Sequence, residues 1–549
     1  MKRILCGILI ALVICGGLAW ANRLDLMLYI VKKRSEAEYT ITPNREIAWK
    51  QGPATPSDSN RPNIVMIVLD DVGYNDISAF GGGIAGGRIQ TPNIDRFVSE
   101  GVVFTNSYAG NATCSPSRGM MMTGRYQTTT GYEFTPFPGG MGGSLITIGN
   151  SMNNGLPKTL PGLENNMDFN DQGLPGEEVT LAEILQEEGY HTVHIGKWHM
   201  GRTNGMAPND QGFDESLLMH SGMYLPEDHP DVVNARIEFD PIDKFLWARL
   251  RYSASFNNAS NDDTFEPGGY LTDYWTDESV KVIEANRNRP FFLYLAHWGT
   301  HTPLQATRKD YDAVGDLGSH TLQVYAAMMR AIDRSVGRVL KALEDTDQAE
   351  NTVVVLTSDN GGVGYIGLND LNAPYRGWKL TFFEGGLKVP GFMRWPAGLP
   401  EGVQIDVPMS HIDLMPTLVE AAGAALPADR QIDGLSLLPV ARGQAGLPER
   451  PIFFHNGINH AVRMGDWKLQ VNDLEGGPWL YNLSKDPTEQ NNLAPAYPEK
   501  VAELHNLIKA HTASGPGALY PYSILAPVAI DKTRAETVTP DDEVVYWAN

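Results

Sequence analysis

Four apolar, β-rich runs, each broken off by polar residues, set the first constraint on this chain. They are Asn63 to Leu69 before Asp70-Asp71, and Thr192 to Ile195 before Gly196-Lys197-Trp198-His199. Phe291 to Ala296 precedes His297 to His301, and Thr352 to Thr357 precedes Ser358-Asp359-Asn360. A continuous apolar run marks a strand buried on both faces, the habit of parallel sheets. Helical segments lie between the runs. Thr180-Leu181-Ala182-Glu183 is a capping box that opens a helix stopping at Gly189. Leu322, Tyr325, Met329, Ile332, Val336, Val339 and Leu343 recur at helical spacing. The alternation predicts an α/β fold, with a large doubly wound, mainly parallel sheet flanked by helices. In that architecture ligands sit beyond the carboxyl ends of the strands, and all four polar clusters fall there.

The chain divides into five stretches. Residues 1–21 read as an export signal, with Lys2 and Arg3 ahead of an apolar or small run from Ile4 to Trp20 and a small-x-small site at Ala19-Trp20-Ala21. The run is shorter than the about 20 apolar residues a spanning helix needs. An uncleaved anchor is the alternative, helped by a second apolar patch from Leu24 to Val31, and is the one route to a membrane. Cys15 does not make a lipoprotein site, because Ile14 before it is not small. Residues 22–60 read as a poorly structured lead-in and 61–440 as the catalytic α/β domain. Residues 441–513 read as a smaller antiparallel α+β subdomain, with a hairpin turn at Gly465-Asp466 and a helix from Pro498 to about His511. Residues 514–549 form a Pro-rich tail. The expected location is periplasmic or secreted.

Charge and cysteines narrow the chemistry. A formal net charge of −22 argues against nucleic acid and polyanion partners, which need clustered Lys and Arg. It leaves room for a small anion held by cations in one cleft. Of three cysteines, Cys6 and Cys15 lie in the signal, so cleavage leaves Cys114 with no intramolecular partner.

Asp70, Asp71, Asp359 and Asn360 offer four hard oxygen ligands at two strand ends. Such a set suits Ca²⁺ or Mg²⁺ better than a metal preferring His or Cys. Either pair alone reads equally well as turn or helix-cap residues. The exported setting favours Ca²⁺, with Mg²⁺ the alternative. Lys197, His199, His301 and Lys379 each pass as structural residues when taken alone, and His301 has rivals in His297 and His194.

Cys114-Ser115-Pro116-Ser117-Arg118, with Gly119 and Thr123-Gly124-Arg125 after it, changes that reading. Here the chain resembles the type I sulfatases, the arylsulfatase-like, formylglycine-dependent branch of the alkaline-phosphatase-like superfamily. The resemblance covers most of residues 61–513. It runs through Asn63-Ile64-Val65 to Asp70-Asp71, Thr91 to Asp95, Gly196 to Gly201, Thr300-His301-Thr302-Pro303, Ser358 to Gly361 and Glu384-Gly385-Gly386. Leu480-Tyr481 to Asp486-Pro487 and Asn492-Leu493-Ala494 match as well.

The resemblance implies a hydrolase of sulfate esters that releases an alcohol or phenol and inorganic sulfate. Cys114 is then oxidised by a formylglycine-generating maturation enzyme, and residue 114 joins Asp70, Asp71, Asp359 and Asn360 around one divalent metal. Arg118 holds the formylglycine, and Lys197, His199, His301 and Lys379 bind the sulfate oxygens or the leaving group. The aldehyde hydrate offers one hydroxyl to sulfur and keeps a second, which expels sulfate once His199 takes its proton; an ordinary Ser or Thr lacks that second hydroxyl. His301 or Lys379 protonates the leaving oxygen. Three other functions compete: a membrane-anchored head-group transferase, which would want a Thr or Ser nucleophile and several spanning helices, a phosphate diester or phosphonate monoester hydrolase of the same superfamily, and, second to that rival, a catalytically inactive binding module. Every matched catalytic position is filled, which disfavours the binding module.

The organic half of the substrate falls outside the matched blocks. Gln127 to Gly176 carries Phe134, Phe137 and Met141; Ser221 to Tyr274 carries Tyr224, Phe245, Trp247, Tyr252, Phe256 and Tyr270. These side chains line a pocket, cover core or make a dimer contact, and no pattern sets an oligomeric state. Small monosulfates with an apolar or aromatic leaving group are the expected substrates. The sequon Asn111-Ala112-Thr113 abuts Cys114 and reads as accidental.

Overall fold

The four apolar runs become the centre of one sheet. The computed structural model describes residues 22–549 apart from Asp58, Ser59, Gly139, Asn166 and Glu475, so the expected signal lies outside the described residues. The central strands are β1 (Asn63–Leu69), β2 (His191–Gly196), β3 (Phe291–Ala296) and β4 (Thr352–Ser358). The eleven-stranded sheet runs Ile41–Thr42, Thr264–Phe265, Tyr252–Phe256, Glu215–Gly222, β2, β3, β1, β4, Gly391–Arg394, Val102–Phe104, Val403–Ile405. From Glu215–Gly222 to β4 all neighbours are parallel; antiparallel pairs flank this centre on both sides.

Strand alternation feeds two cores at once. Val65, Ile67 and Leu69 of β1 point into one apolar cluster, and Ile64, Met66 and Val68 into another. β3 and β4 divide their residues in the same way. The helices that frame these cores include α1 (Arg23–Glu38), α2 (Cys114–Thr123), α3 (Leu181–Glu187), α4 (Pro241–Arg249) and α5 (His320–Asp345), while α6 (Pro498–Ala513) lies in the C-terminal region. Val324, Ile332, Val336 and Leu343 of α5 cover the first face, and Leu181, Ile184 and Leu185 of α3 the second. Burying each such side chain contributes about 1.5–3 kcal/mol, so the runs cannot leave the centre cheaply. The capping box of α3 is present: Glu183 N donates to Thr180 Oγ1 at 3.2 Å and Thr180 N to Glu183 Oε2 at 2.7 Å.

The C-terminal region holds a four-stranded antiparallel sheet of Ile452–Asn456, Asn459–Met464, Trp467–Asn472 and Trp479–Asn482. Gly465 (φ 55°) and Asp466 join the middle strands, and α6 packs Leu504 and Ile508 against Val462, Leu469 and Leu480.

Residues 22–60 depart from the expected poorly structured lead-in. α1 packs on α4, Ile41–Thr42 pairs with Thr264–Phe265, and buried Trp49 donates Nε1 to Glu278 Oε2 at 2.7 Å. The apolar residues of α1 do not gather into one stripe, which hid the helix from periodicity. The tail also folds: Ile524–Ala529 and Val544–Ala548 pair with each other, and Ile524–Ala529 pairs with Leu160–Pro161. No helix among the described residues is long and apolar enough to cross a membrane.

Candidate active site

Parallel register assembles the site. Leu69 pairs with Ser358, so the next residues, Asp70 and Asp359, emerge side by side. Ala296 pairs with both Val68 and Gly196, which brings His297 to His301 and Lys197 to the same edge. Gly196 has φ 107°, and a Cβ there would stand 2.0 Å from the Ala296 carbonyl oxygen, so only glycine turns the chain toward Lys197 here. Cys114 is the first residue of α2, and all ten residues of that helix are buried. Arg118, one turn on, shares its face.

Two linked ion clusters result. In the first, Arg118 Nε donates to Asp359 Oδ2 at 2.9 Å and its Nη2 lies 3.3 Å from Asp70 Oδ2; Lys197 Nζ lies 2.6 Å from the same Asp70 oxygen. In the second, Asp71 Oδ1 meets Lys379 Nζ at 2.5 Å and Asn360 Nδ2 at 2.8 Å. Asp71 Oδ2 accepts from Tyr365 Oη at 2.9 Å and faces His301 Nε2 at 3.7 Å. Lys379 Nζ also lies 3.5 Å from Cys114 Sγ. His301 Nδ1 is 2.7 Å from the Thr302 carbonyl, which can only accept; Nδ1 therefore carries a proton and Nε2 faces the cavity. The His301 ring stacks on Trp298 at 3.9 Å, and Lys197 Nζ sits 4.8 Å from the same indole.

Burial and neighbouring charge set the protonation states. Burial, then repulsion from Asp359, pushes the Asp70 carboxyl up to about 7. Burial also works to raise Asp71, but Lys379, His301 and Lys197 outweigh it and hold this carboxyl well below its ordinary value. Burial would lower Lys379, yet Asp71 keeps its ammonium charged well above the usual range. Burial depresses His199 and His301 far below an ordinary imidazole. It also raises the Cys114 thiol despite Lys197 and Lys379.

A cation suits this arrangement. Asp70 Oδ1 and Asn360 Oδ1 are buried acceptors with no hydrogen-bond partner, although such atoms are costly to leave unpaired. Ligand atoms of Asp70, Asp71, Cys114 and His301 lie within 4.8 Å of one another. Buried carboxylates that repel each other are what a hard divalent ion relieves.

All ten residues singled out in the sequence meet at this edge or in the cavity wall. His199 (φ 62°) belongs to the wall, its Nδ1 buried without a partner; its carbonyl is fixed by Ser115 Oγ at 2.9 Å and Tyr132 Oη at 2.8 Å. The rivals are occupied elsewhere: His297 Nε2 bonds Ser335 Oγ and His194 Nδ1 bonds Ser216 Oγ, both at 2.9 Å. The buried Asn111 side chain donates Nδ2 to the His455 carbonyl at 2.7 Å, leaving no room for a glycan in the folded chain.

A cavity of ≈ 230 Å³ opens from Cys114, Lys197, His199, His301 and Lys379. Of the aromatic and apolar residues singled out in the two unmatched stretches, Phe137, Met141 and Phe245 line it. Phe134, Tyr224, Trp247, Tyr252, Phe256 and Tyr270 do not. The wall also includes aromatics to which sequence reasoning gave no such role: Tyr39, Phe169, Trp198, Trp298, Tyr365 and Trp547. Trp198 and Trp298 sat inside flagged clusters; Tyr39 and Trp547 lay in the stretches read as lead-in and tail, Phe169 in an unmatched stretch and Tyr365 between two matched blocks, with no local signal.

A sequence model of the sulfatase family matches residues 62–424, about two thirds of the chain. This chain belongs to the sulfatase family. A second model, described as "N-sulphoglucosamine sulphohydrolase, C-terminal", matches residues 377–514 of the sulfatase. The N-acetylgalactosamine-6-sulfatase of Canis lupus familiaris is 34% identical over 415 residues, spanning 74% of this chain and 71% of that protein. The steryl-sulfatase of Homo sapiens is 28% identical, over 81% and 86% of the two chains. The crystal structure of Ps i-CgsB in complex with k-i-k-neocarrahexaose superposes with a TM-score of 0.66 at 29% identity, covering 84% of this chain and 94% of that one. The sulfatase is thus a sulfuric ester hydrolase with the large mixed sheet and flanking helices of its relatives.

Proposed function

We propose that this enzyme hydrolyses sulfate esters through a formylglycine made from Cys114 and one divalent metal, Ca²⁺ in preference to Mg²⁺. The observation that carries the reading is the position of Cys114. It starts a buried helix, 3.5 Å from Lys379 Nζ and beside Asp70 and Asp71 with their unsatisfied oxygen. As a thiol raised by burial it is protonated and a poor nucleophile, so the position calls for a different functional group. Formylglycine hydrate there supplies a hydroxyl for sulfur and a second one for expelling sulfate, and a divalent ion among Asp70, Asp71, Asp359, Asn360 and residue 114 supplies positive charge.

The other residues have separable tasks. Arg118 ties Asp70 to Asp359 beneath residue 114. Lys197 and Lys379 are preorganised cations for charge that develops on the sulfate oxygens. His301 faces the cavity with an Nε2 that burial leaves unprotonated while Nδ1 is held by Thr302; with the anionic ester beside it, Nε2 takes up a proton from water and passes that proton to the leaving oxygen. His199, kept neutral by burial, takes a proton from residue 114 when sulfate departs. Residues 61–440 form the catalytic unit, with residues 441–513 as its C-terminal subdomain. Export under residues 1–21 puts the enzyme in a periplasmic or secreted setting, after maturation by a formylglycine-generating enzyme. Its substrates are small sulfated molecules.

Mass spectrometry of the peptide spanning residue 114 from active enzyme tests the reading. An aldehyde or its hydrate is expected, and Cys114→Ala should lose turnover while melting like the parent. An unmodified thiol in fully active enzyme would reject the mechanism.

A further inference from the structure

The cavity holds a guanidinium that the sulfate chemistry does not use. Arg202 lines it, on the loop that follows β2 and His199. Its Nη2 donates to the His220 carbonyl at 2.7 Å, and its Nη1 lies 3.2 Å from His220 Nε2. Among the described residues Arg202 makes no ion pair. Glu38, the carboxylate that also lines the cavity, is held by Arg249 Nη2 at 2.8 Å, and Arg249 Nη1 donates to Ser35 Oγ at 3.0 Å. His220 does not supply a negative charge either; burial, then Arg202, keeps its imidazole neutral, with a pKa down to about 3, and its Nε2 lies 2.9 Å from Asn261 Oδ1. Burial disfavours the charge on Arg202 most, Arg249 adds to that, and Tyr39 and Glu38 offset part of it.

The surroundings make that charge conspicuous. Ile242, Phe245, Leu246 and Leu250 line the cavity from α4 and the residue after it, with Phe137 and Met141 from another part of the wall. An arginine in such a wall is ordinarily matched by a carboxylate, because a largely desolvated guanidinium without one is unfavourable. Among the described residues no carboxylate pairs with it directly, so the free fold keeps a cation open to an anionic ligand. The same cavity therefore offers two regions of positive charge: Lys197 and Lys379 beside Cys114, and Arg202 with His220. Gly196 pairs with Leu218, and His220 stands two residues further along its strand, about 7 Å at the usual strand rise.

We infer that Arg202 is a specificity-determining residue that binds a second anionic group, a carboxylate or a further sulfate, on the alcohol half of the substrate. The inference rests on the sulfatase reading of the Cys114 site and adds the class of alcohol. The leaving group is a largely apolar body that carries a negative charge apart from the sulfate being cleaved. Guanidinium geometry favours this, since its fork matches the paired oxygens of a carboxylate or sulfate.

The test is steady-state kinetics of the matured enzyme and its Arg202→Met and Arg202→Lys variants. The substrates are phenyl sulfate, 4-carboxyphenyl sulfate, 4′-carboxybiphenyl-4-yl sulfate and benzene-1,4-diyl disulfate. For Arg202→Met, kcat/KM on at least one doubly anionic substrate should fall tenfold or more beyond any fall on phenyl sulfate, mainly through KM. Arg202→Lys should recover part of it. The carboxylated and disulfated arms separate the two kinds of anion. Arg202→Met should also melt at or above the parent temperature, because it removes an uncompensated cation. Equal losses on singly and doubly anionic substrates, or a lowered melting temperature with loss on all of them, would overturn the inference and make Arg202 a scaffold for His220. Failure of the parent enzyme to release sulfate from any ester would instead reject the sulfatase mechanism on which the inference stands.

Discussion

Lys379 shows how much one side chain can carry. It lies on no strand end and follows Trp378 in a loop, yet its ammonium is buried between Asp71 and Cys114. Asp71 keeps it charged against the pull of burial, so it is a fixed cation and not a proton shuttle. Lys379→Ala should cost roughly 3–4 kcal/mol of transition-state stabilisation, about 10²–10³ in kcat, as for the loss of one preorganised donor. Lys379→Arg should rescue poorly, since a planar fork does not replace a compact ammonium. Initial-rate kinetics on an aryl sulfate read both. A change below threefold would remove Lys379 from the reaction. His301 carries a different expectation. Its proton matters most when the leaving alcohol is a poor one, so His301→Ala should slow an alkyl sulfate far more than an activated aryl sulfate. Equal losses would leave His301 a binding group only.

At the scale of elements, the C-terminal sheet is locked to the catalytic loop by a buried charge network. Lys468 Nζ, on Trp467–Asn472, meets Glu384 Oε1 at 2.8 Å and Glu489 Oε1 at 2.9 Å, all three nearly inaccessible. Glu384 opens the Glu-Gly-Gly turn that follows Lys379, and Tyr108 Oη donates to its Oε2 at 2.7 Å. Burial pushes Glu489 up to about 7 even with Lys468 beside it, which shows how dependent the pair is on that ammonium. Lys468→Met takes the direct ion-pair partner from two buried carboxylates, leaving Glu384 with the more distant Lys388 and Arg463 and with Tyr108, and should destabilise the fold by about 3–5 kcal/mol. Denaturant unfolding checks this, and a loss under 1 kcal/mol would mean water already reaches the network.

For the whole molecule, a cation in the proposed site should contribute to stability as well as catalysis. Four strand-end oxygen donors converge from β1 and β4, and Asp70 and Asp359 repel each other across the register that joins those strands. An ion that binds only the folded chain at 100 times its Kd adds about 2.7 kcal/mol. Chelation should therefore lower the melting temperature as well as abolish activity, and Ca²⁺ should restore both. Binding should also depend on pH. Asp70 sits near 7 without the ion, so below that pH it must lose a proton before it can ligate. Affinity should rise with pH up to about 7 and then level off. Calorimetric titration with Ca²⁺ at pH 5.5, 6.5 and 7.5 reads the trend; a flat profile, or two zinc ions by elemental analysis, would contradict the site.

Local sequence determined the sheet centre and the list of candidate site residues. The four apolar runs could satisfy their side chains only as strands buried on both faces, so the polar residues after them had to surface at one edge. The Cys-x-Pro-x-Arg block, with the other matched blocks in order, named Cys114, Arg118, Lys197, His199, His301 and Lys379 before any coordinates did. Tertiary structure alone decided the rest of the cavity. Tyr39 and Trp547 come from segments far apart in the chain that look unstructured one window at a time. α1 becomes a helix because it packs on α4, and the tail becomes strands because Val544–Ala548 and Leu160–Pro161 both pair with Ile524–Ala529. Arg202 reads as one more surface arginine until folding brings it into an apolar wall with its neighbouring carboxylate already taken. Periodicity and motif report what a residue does to its near neighbours; the missing partner of a charge is a property of distant ones.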